Sequence, residues 1–155
     1  MRSLLAVDLG LRTGLALYAG DGRLLWYRSQ NFGSQARLRR AVHGLLGGIP
    51  DLAWVVLEGG GPLAEIWEKE AGKRGVAVLR IAAERWRERL LLVREQRTGK
   101  QAKHSADELA RRVIDWSGAP RPTSLRHDAA EAVLVGLWGV LEVEWLERVP
   151  DAVRR

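Results

Sequence analysis

A core strand that ends in a carboxylate limits what this chain can become more than any other feature. Leu4-Leu5-Ala6-Val7 is a continuous apolar run closing on Asp8. Gly10 and Gly14 punctuate the next residues before Leu15-Ala16-Leu17-Tyr18 resumes as a second strand. A short apolar run bounded by glycine is the pattern of a strand covered on both faces. Taking a carboxylate out of water is strongly unfavourable unless something pairs with it, so an acid in that position asks for a cation or a metal ion. Asp also caps turns through its own backbone, and the strand alone does not separate the two readings.

The chain of 155 residues fits one domain, 1–155, with enough length for a substantial core. Apolar residues make up 46% and charged residues 28%, the balance of a globular protein in water. No run approaches the ~20 apolar residues that span a bilayer, and the N-terminus lacks the pattern of a secretory signal. Without cysteine there is no disulfide, no thiol nucleophile and no cysteine zinc site, which is compatible with the cytoplasm. Lys and Arg exceed Asp and Glu by 25 to 19, a net charge of +6. A small basic domain suits a polyanionic partner, nucleic acid first.

Taken in order, Leu15–Tyr18 and Leu24–Arg28 flank Asp21-Gly22, a strong hairpin signal. Three antiparallel strands therefore open the chain. A helical pattern starts at Ser34 or Gln35 and stops at Gly47-Gly48, with Arg37, Arg39 and Arg40 on its solvated face. Ala53–Leu57 reads as a buried strand that again ends in an acid, Glu58. A helix from Leu63 to Lys73 and a strand from Val76 to Ile81 follow, an order that implies parallel pairing through a right-handed crossover. Ala83–Val93 reads as an arginine-rich helix, and Arg94–His104 as a basic surface loop suited to phosphates or simply to solvent. Ser105 and Glu108 match a capping box, starting a helix that runs to Trp116. After the proline-bearing turn Gly118–Leu125, Arg126–Trp138 is a mostly apolar helix with acids in its first turn.

Asp128 and Glu131 are spaced i, i+3 and share one side of that last helix. The helix dipole alone favours acids there. Ala129-Ala130 between them would let the helix lie close to the sheet, carrying both acids toward Asp8 and Glu58. Four converging acids repel one another unless divalent cations neutralise them. Oxygen donors of this kind suit Mg²⁺ or Mn²⁺, and two such ions about 4 Å apart can drive phosphodiester hydrolysis.

These residues carry a resemblance. Three antiparallel strands, a helix, then alternating strands and helices ending in an acid-bearing helix look like the RNase H-like (retroviral-integrase-like) fold, an α/β class with a mixed five-stranded sheet flanked by helices. Within it the chain resembles the RuvC-type Holliday-junction resolvases over nearly its whole length. Asp8-Leu9-Gly10 followed by Thr13-Gly14 looks like that family's opening motif, and Glu58 stands where its second acid stands. Arg74-Gly75-Val76-Ala77 resembles the turn before its fifth strand, and Thr98-Gly99 with Lys100 and Lys103 its basic loop. His127-Asp128-Ala129-Ala130-Glu131-Ala132 resembles its most specific signature.

The resemblance implies that Asp8, Glu58, Asp128 and Glu131 ligate two Mg²⁺ ions, with Mn²⁺ able to substitute, and that Lys100 or Lys103 meets the scissile phosphate. It further implies a homodimer acting on four-way junction or other branched DNA, away from any membrane, with paired nicks that leave 5′-phosphate and 3′-hydroxyl ends. By the same resemblance Leu63–Lys73, with Ile66 and Trp67, is the dimer helix. Two departures stand out. Glu131 replaces an Asp common in the family, and Gly59-Gly60-Gly61 occupies the region of its aromatic wedge, a role Trp67 could take over. A YqgF-like nuclease acting on RNA shares the opening strand. Actin-like ATPases and sugar kinases share it too but need two such domains. A DNA-binding module without activity would gain by losing the four acids.

Overall fold

The computed structural model of the protein describes residues 1–154. Its five strands are β1 (Ser3–Asp8), β2 (Arg12–Ala19), β3 (Leu24–Asn31), β4 (Leu52–Glu58) and β5 (Ala77–Ile81), ordered β3-β2-β1-β4-β5 across one sheet. β1, β2 and β3 pair antiparallel, and β4 and β5 join β1 in parallel. The mixed five-stranded sheet expected from the sequence is therefore present. The helices are α1 (Gln35–Gly47), α2 (Gly61–Lys73), α3 (Ala83–Leu90), α4 (Gly99–Ser117) and α5 (His127–Glu142), with a 3-10 turn at Val93–Gln96.

Strand residues alternate between faces, and the burial follows that alternation. Leu5, Val7, Leu15, Leu17, Val55 and Leu57 pack with Leu38, Val42 and Leu46 of α1 and Trp67 of α2. Leu4, Ala6, Ala16, Tyr18 and Val56 pack on the other side, with α4 and α5. Because β1 is covered on both faces, its sequence is a continuous apolar run rather than an alternation. The even-numbered positions of β1 and β4 face α5, and Asp8 and Glu58 continue that series to the strand ends.

Every residue of α5 from Ala129 to Leu141 is buried, which is why this helix reads as apolar all round. It lies unusually close to the sheet. A Cβ on Gly136 would stand 2.1 Å from the ring of Tyr18, and the Tyr18 hydroxyl donates to the Val133 carbonyl.

Two expectations are corrected here. The basic segment is not a loop up to His104. Thr98 Oγ1 accepts from the Gln101 amide at 3.0 Å and starts α4 at Gly99, so Lys100 and Lys103 ride on a helix. Ser105, which mimics a capping residue, is a buried interior position of that helix. Trp67 is neither a wedge nor an exposed interface residue. It is 0% exposed, Ile66 is 8% exposed, and both fill the core under α2.

Candidate functional site

Asp8 and Glu58 are register partners across the parallel β1–β4 pair, so the pleat delivers both carboxylates to one face at one level. α5 supplies the third acid. Its close approach at this end depends on Gly14, which is Asp8's register partner on β2. A Cβ at Gly14 would lie 1.9 Å from the Asp128 carbonyl oxygen, so only glycine lets the first turn of α5 seat there. Thr13, fully buried beside it, ties the turn by donating from Oγ1 to the Gly10 carbonyl at 2.7 Å. Asp-x-Gly, Thr and Gly thus have separable jobs: the acid, the turn and the seat for the helix.

The result brings Asp8, Glu58 and Glu131 together, with one carboxylate oxygen of each within 4.8 Å of the others. Glu131 is only 7% exposed. Burial, reinforced by the neighbouring charges of Glu58, Glu131 and Asp128, pushes the Asp8 carboxyl up to about 8. Burial and then Glu131 push Glu58 up to about 7, against a lowering hydrogen bond from Trp86 and the charge of Arg87. The acids are held together by the fold despite their repulsion.

Asp128, the fourth expected acid, stands at the edge of this group. Its Oδ2 accepts from Ser29 Oγ at 2.8 Å and its Oδ1 from the Ala129 amide at 2.8 Å. Ser29 pairs with Gly14 across β2 and β3, so the same pleat position that seats the helix also anchors Asp128. Lys100 and Lys103 are exposed, and among the described residues neither makes an ion pair with these acids.

Two basic side chains that meet the acids have no role assigned by the sequence pattern. Arg87 Nη2 donates to Glu131 Oε1 at 3.2 Å, and His127 Nε2 lies 3.1 Å from the same oxygen. Trp86, wholly buried, donates its indole N–H to Glu58 Oε2 at 3.2 Å. His127 was findable, since it precedes Glu131 by one helical turn. Nothing in the arginine-rich stretch around Arg87 distinguished it from its neighbours.

The donor set fits a divalent metal. Three hard carboxylate oxygens converge in a half-buried site, a fourth acid stands beside them, and no sulfur donor is present. The positive charge the cluster lacks is supplied in part by Arg87.

No protein-family model matches the chain, and no curated protein matches it in sequence. Solved structures do. A structure of T. thermophilus RuvC in complex with Holliday junction substrate superposes with a TM-score of 0.66 at 18% identity, covering 93% of this chain and 96% of that one. A second Thermus thermophilus RuvC structure gives 0.67 at 17% identity, over 92% and 95%. Over more than nine-tenths of its length, this chain has the RNase H-like fold seen in RuvC.

Proposed function

We propose that the chain is a divalent-metal-dependent endonuclease that resolves four-way DNA junctions. The observation carrying this reading is the convergence of Asp8, Glu58 and Glu131 at adjacent strand ends and the first turns of α5. The fold, shared with a protein solved on Holliday junction substrate, supports the choice of substrate. The net charge of +6 surrounding an acidic site suits a polyanion handled through metal ions.

Asp8, Glu58 and Glu131 would hold the metal, with Asp128 completing the set. Two Mg²⁺ ions, or Mn²⁺ in their place, supply an activated water and charge stabilisation to phosphodiester hydrolysis when bound. The protein's own part is positional. Trp86 fixes one oxygen of Glu58, and the Ser29 hydroxyl and Ala129 amide fix Asp128, so those carboxylates are oriented before a ligand arrives. Arg87 and His127 hold Glu131 Oε1, and the Arg87 guanidinium would add positive charge beside a bound phosphate. Lys100 or Lys103 adds positive charge toward the scissile phosphate from the start of α4. Two copies related by a dyad would place matched sites on the two opposed strands of a junction, which is two-fold symmetric.

The test is cleavage of an end-labelled four-way junction beside linear duplex, flap and structured RNA, with Mg²⁺, Mn²⁺ or EDTA. Paired, metal-dependent nicks confined to the junction are expected. Metal-dependent cutting of RNA or flaps would keep the acids and overturn the substrate. No cutting of any of them would leave a nucleic-acid-binding module.

A further inference from the structure

Away from the acids, a cavity of about 500 Å³ opens between α3, the 3-10 turn, α4 and the C-terminal residues. Four arginines line it: Arg89, Arg94, Arg112 and Arg154. Two are already engaged, Arg89 with Glu142 at 3.3 Å and Arg112 with the Val153 carbonyl at 2.8 Å. Arg94 and Arg154 are exposed, with no ion pair among the described residues. Glu95 also lines the cavity, but its Oε1 is committed to the Leu92 amide at 2.7 Å. Four arginines against the Glu95 and Glu142 carboxylates leave the cavity with a net positive charge.

Its floor is apolar. Leu91 and Leu109 are buried there, and Val149 closes the side formed by the C-terminal residues. At the rim, Leu92 is 54% exposed and the adjoining Val93 is 86% exposed. These two adjoining side chains extend the apolar floor of the cavity to its rim. This surface is separate from the acid cluster. Glu142, the partner of Arg89, lies eleven residues beyond Glu131 on α5, about 16 Å along a helix at 1.5 Å per residue.

The mixture of side chains selects the class of partner. A nucleic-acid backbone uses cations and N–H groups and offers nothing to a leucine floor. An acidic peptide with a large apolar side chain satisfies both halves, with carboxylates on the arginine forks and the apolar group on the leucines. We propose that this cavity is a docking groove for an acidic segment of a partner protein, with a phenylalanine or leucine anchor between its carboxylates. The groove serves recruitment, and it does not depend on the nuclease reading of the acid site.

The experiment is fluorescence anisotropy of the intact protein with a short fluorescein-labelled peptide in which aspartates flank a phenylalanine and a leucine. A second peptide carries serine in place of both apolar residues, and labelled duplex DNA is the third probe. Saturable binding of the first peptide is expected. Affinity should drop about tenfold or more with the serine peptide, and as much with the double variant Arg94→Glu, Arg154→Glu. Both arginines are exposed, so the double variant should keep the fold, and circular dichroism checks this. Arg94→Gln with Arg154→Gln removes the charge without reversing it and should give a smaller loss. Equal binding of the two peptides would reduce the surface to a general polyanion patch and overturn the proposal. So would absence of saturable peptide binding, or duplex DNA affinity falling as steeply as that of the peptide in the double variant.

Discussion

Asp8 and Glu58 stand opposite each other at the ends of two hydrogen-bonded parallel strands, and among the described residues neither has a cationic side chain donating to it. Glu58 accepts from the Trp86 indole, and the arginine that reaches the site bonds Glu131 instead. The cluster is thus short of positive charge where the strands end, and a metal would be drawn to that place.

Removing one charge there should separate chemistry from binding. Asp8→Asn is expected to lower metal-dependent cleavage about a thousandfold or more, an effect of the size seen when essential charge stabilisation is lost. Junction affinity in a metal-free gel-shift assay should be unchanged near neutral pH, where Asp8 keeps its proton, and tighter above about pH 8, where the variant repels phosphate less. Undiminished cleavage would remove Asp8 from the site.

The raised carboxyls make metal-free stability depend on pH with a definite sign. The folded chain keeps the Asp8 proton up to about 8, against 3.8 unfolded, and the Glu58 proton up to about 7, against 4.5. Between those values the native state binds more protons than the unfolded state, so stability is full at low pH and is lost as pH rises toward 8. Urea denaturation in EDTA should show a decline on the order of a few kcal/mol from pH 5 to pH 8.5, flattened in Asp8→Asn. A rise over the same range would mean that the acids are already compensated.

Arg87 stands in for missing charge beside a buried carboxylate. Arg87→Ala should therefore destabilise the metal-free protein by on the order of 1–3 kcal/mol, the penalty of leaving a buried polar group short of a partner. Thermal melts with Mn²⁺ should narrow the gap to wild type. An equal drop with and without the metal would make Arg87 a packing residue only.

Gly14 is the seat of α5. A methyl group there meets backbone rather than a side chain that could rotate away, so Gly14→Ala should cost on the order of 3 kcal/mol. Cleavage should be lost even in whatever fraction folds, since Asp128 and Glu131 are displaced together. Calorimetry with an activity assay on the folded fraction checks both statements.

The lysines are best distinguished by kinetics. Lys103→Ala is expected to lower the single-turnover cleavage rate more than junction affinity. An unchanged rate, with a fall in Lys100→Ala, would assign the role to Lys100.

Much of this was legible in the sequence for reasons of parity and spacing. A strand buried on both faces must be apolar throughout, so an acid at its end is conspicuous, and Asp8 and Glu58 were found this way. Glu131 followed from helical spacing and the alanines before it. Arg87 was not legible. Its neighbours Arg85 and Arg89 look the same in sequence, and only the packing of α3 against α5 aims one of them at Glu131. Ser105 and Glu108 imitate a cap in sequence, while Thr98 provides the real one, so the true start of α4 is hidden. Trp67 looked available for an interface because an apolar stripe facing a core and one facing a partner are identical until the sheet is in place.

The burial of α5 has a consequence for motion. Glu131 can be released only by unpacking the middle of the core, so its backbone amides should be among the slowest in the molecule to exchange with solvent. Arg87 is carried by α3, an eight-residue helix too short to be stable by itself, and its amides should exchange much sooner. The strands and helix that carry the acids therefore keep their places through fluctuations of α3 that loosen Arg87, and with it the Trp86 hold on Glu58. In the proposed enzyme the catalytic backbone would stay rigid while the side chains orienting it are carried by the part that moves.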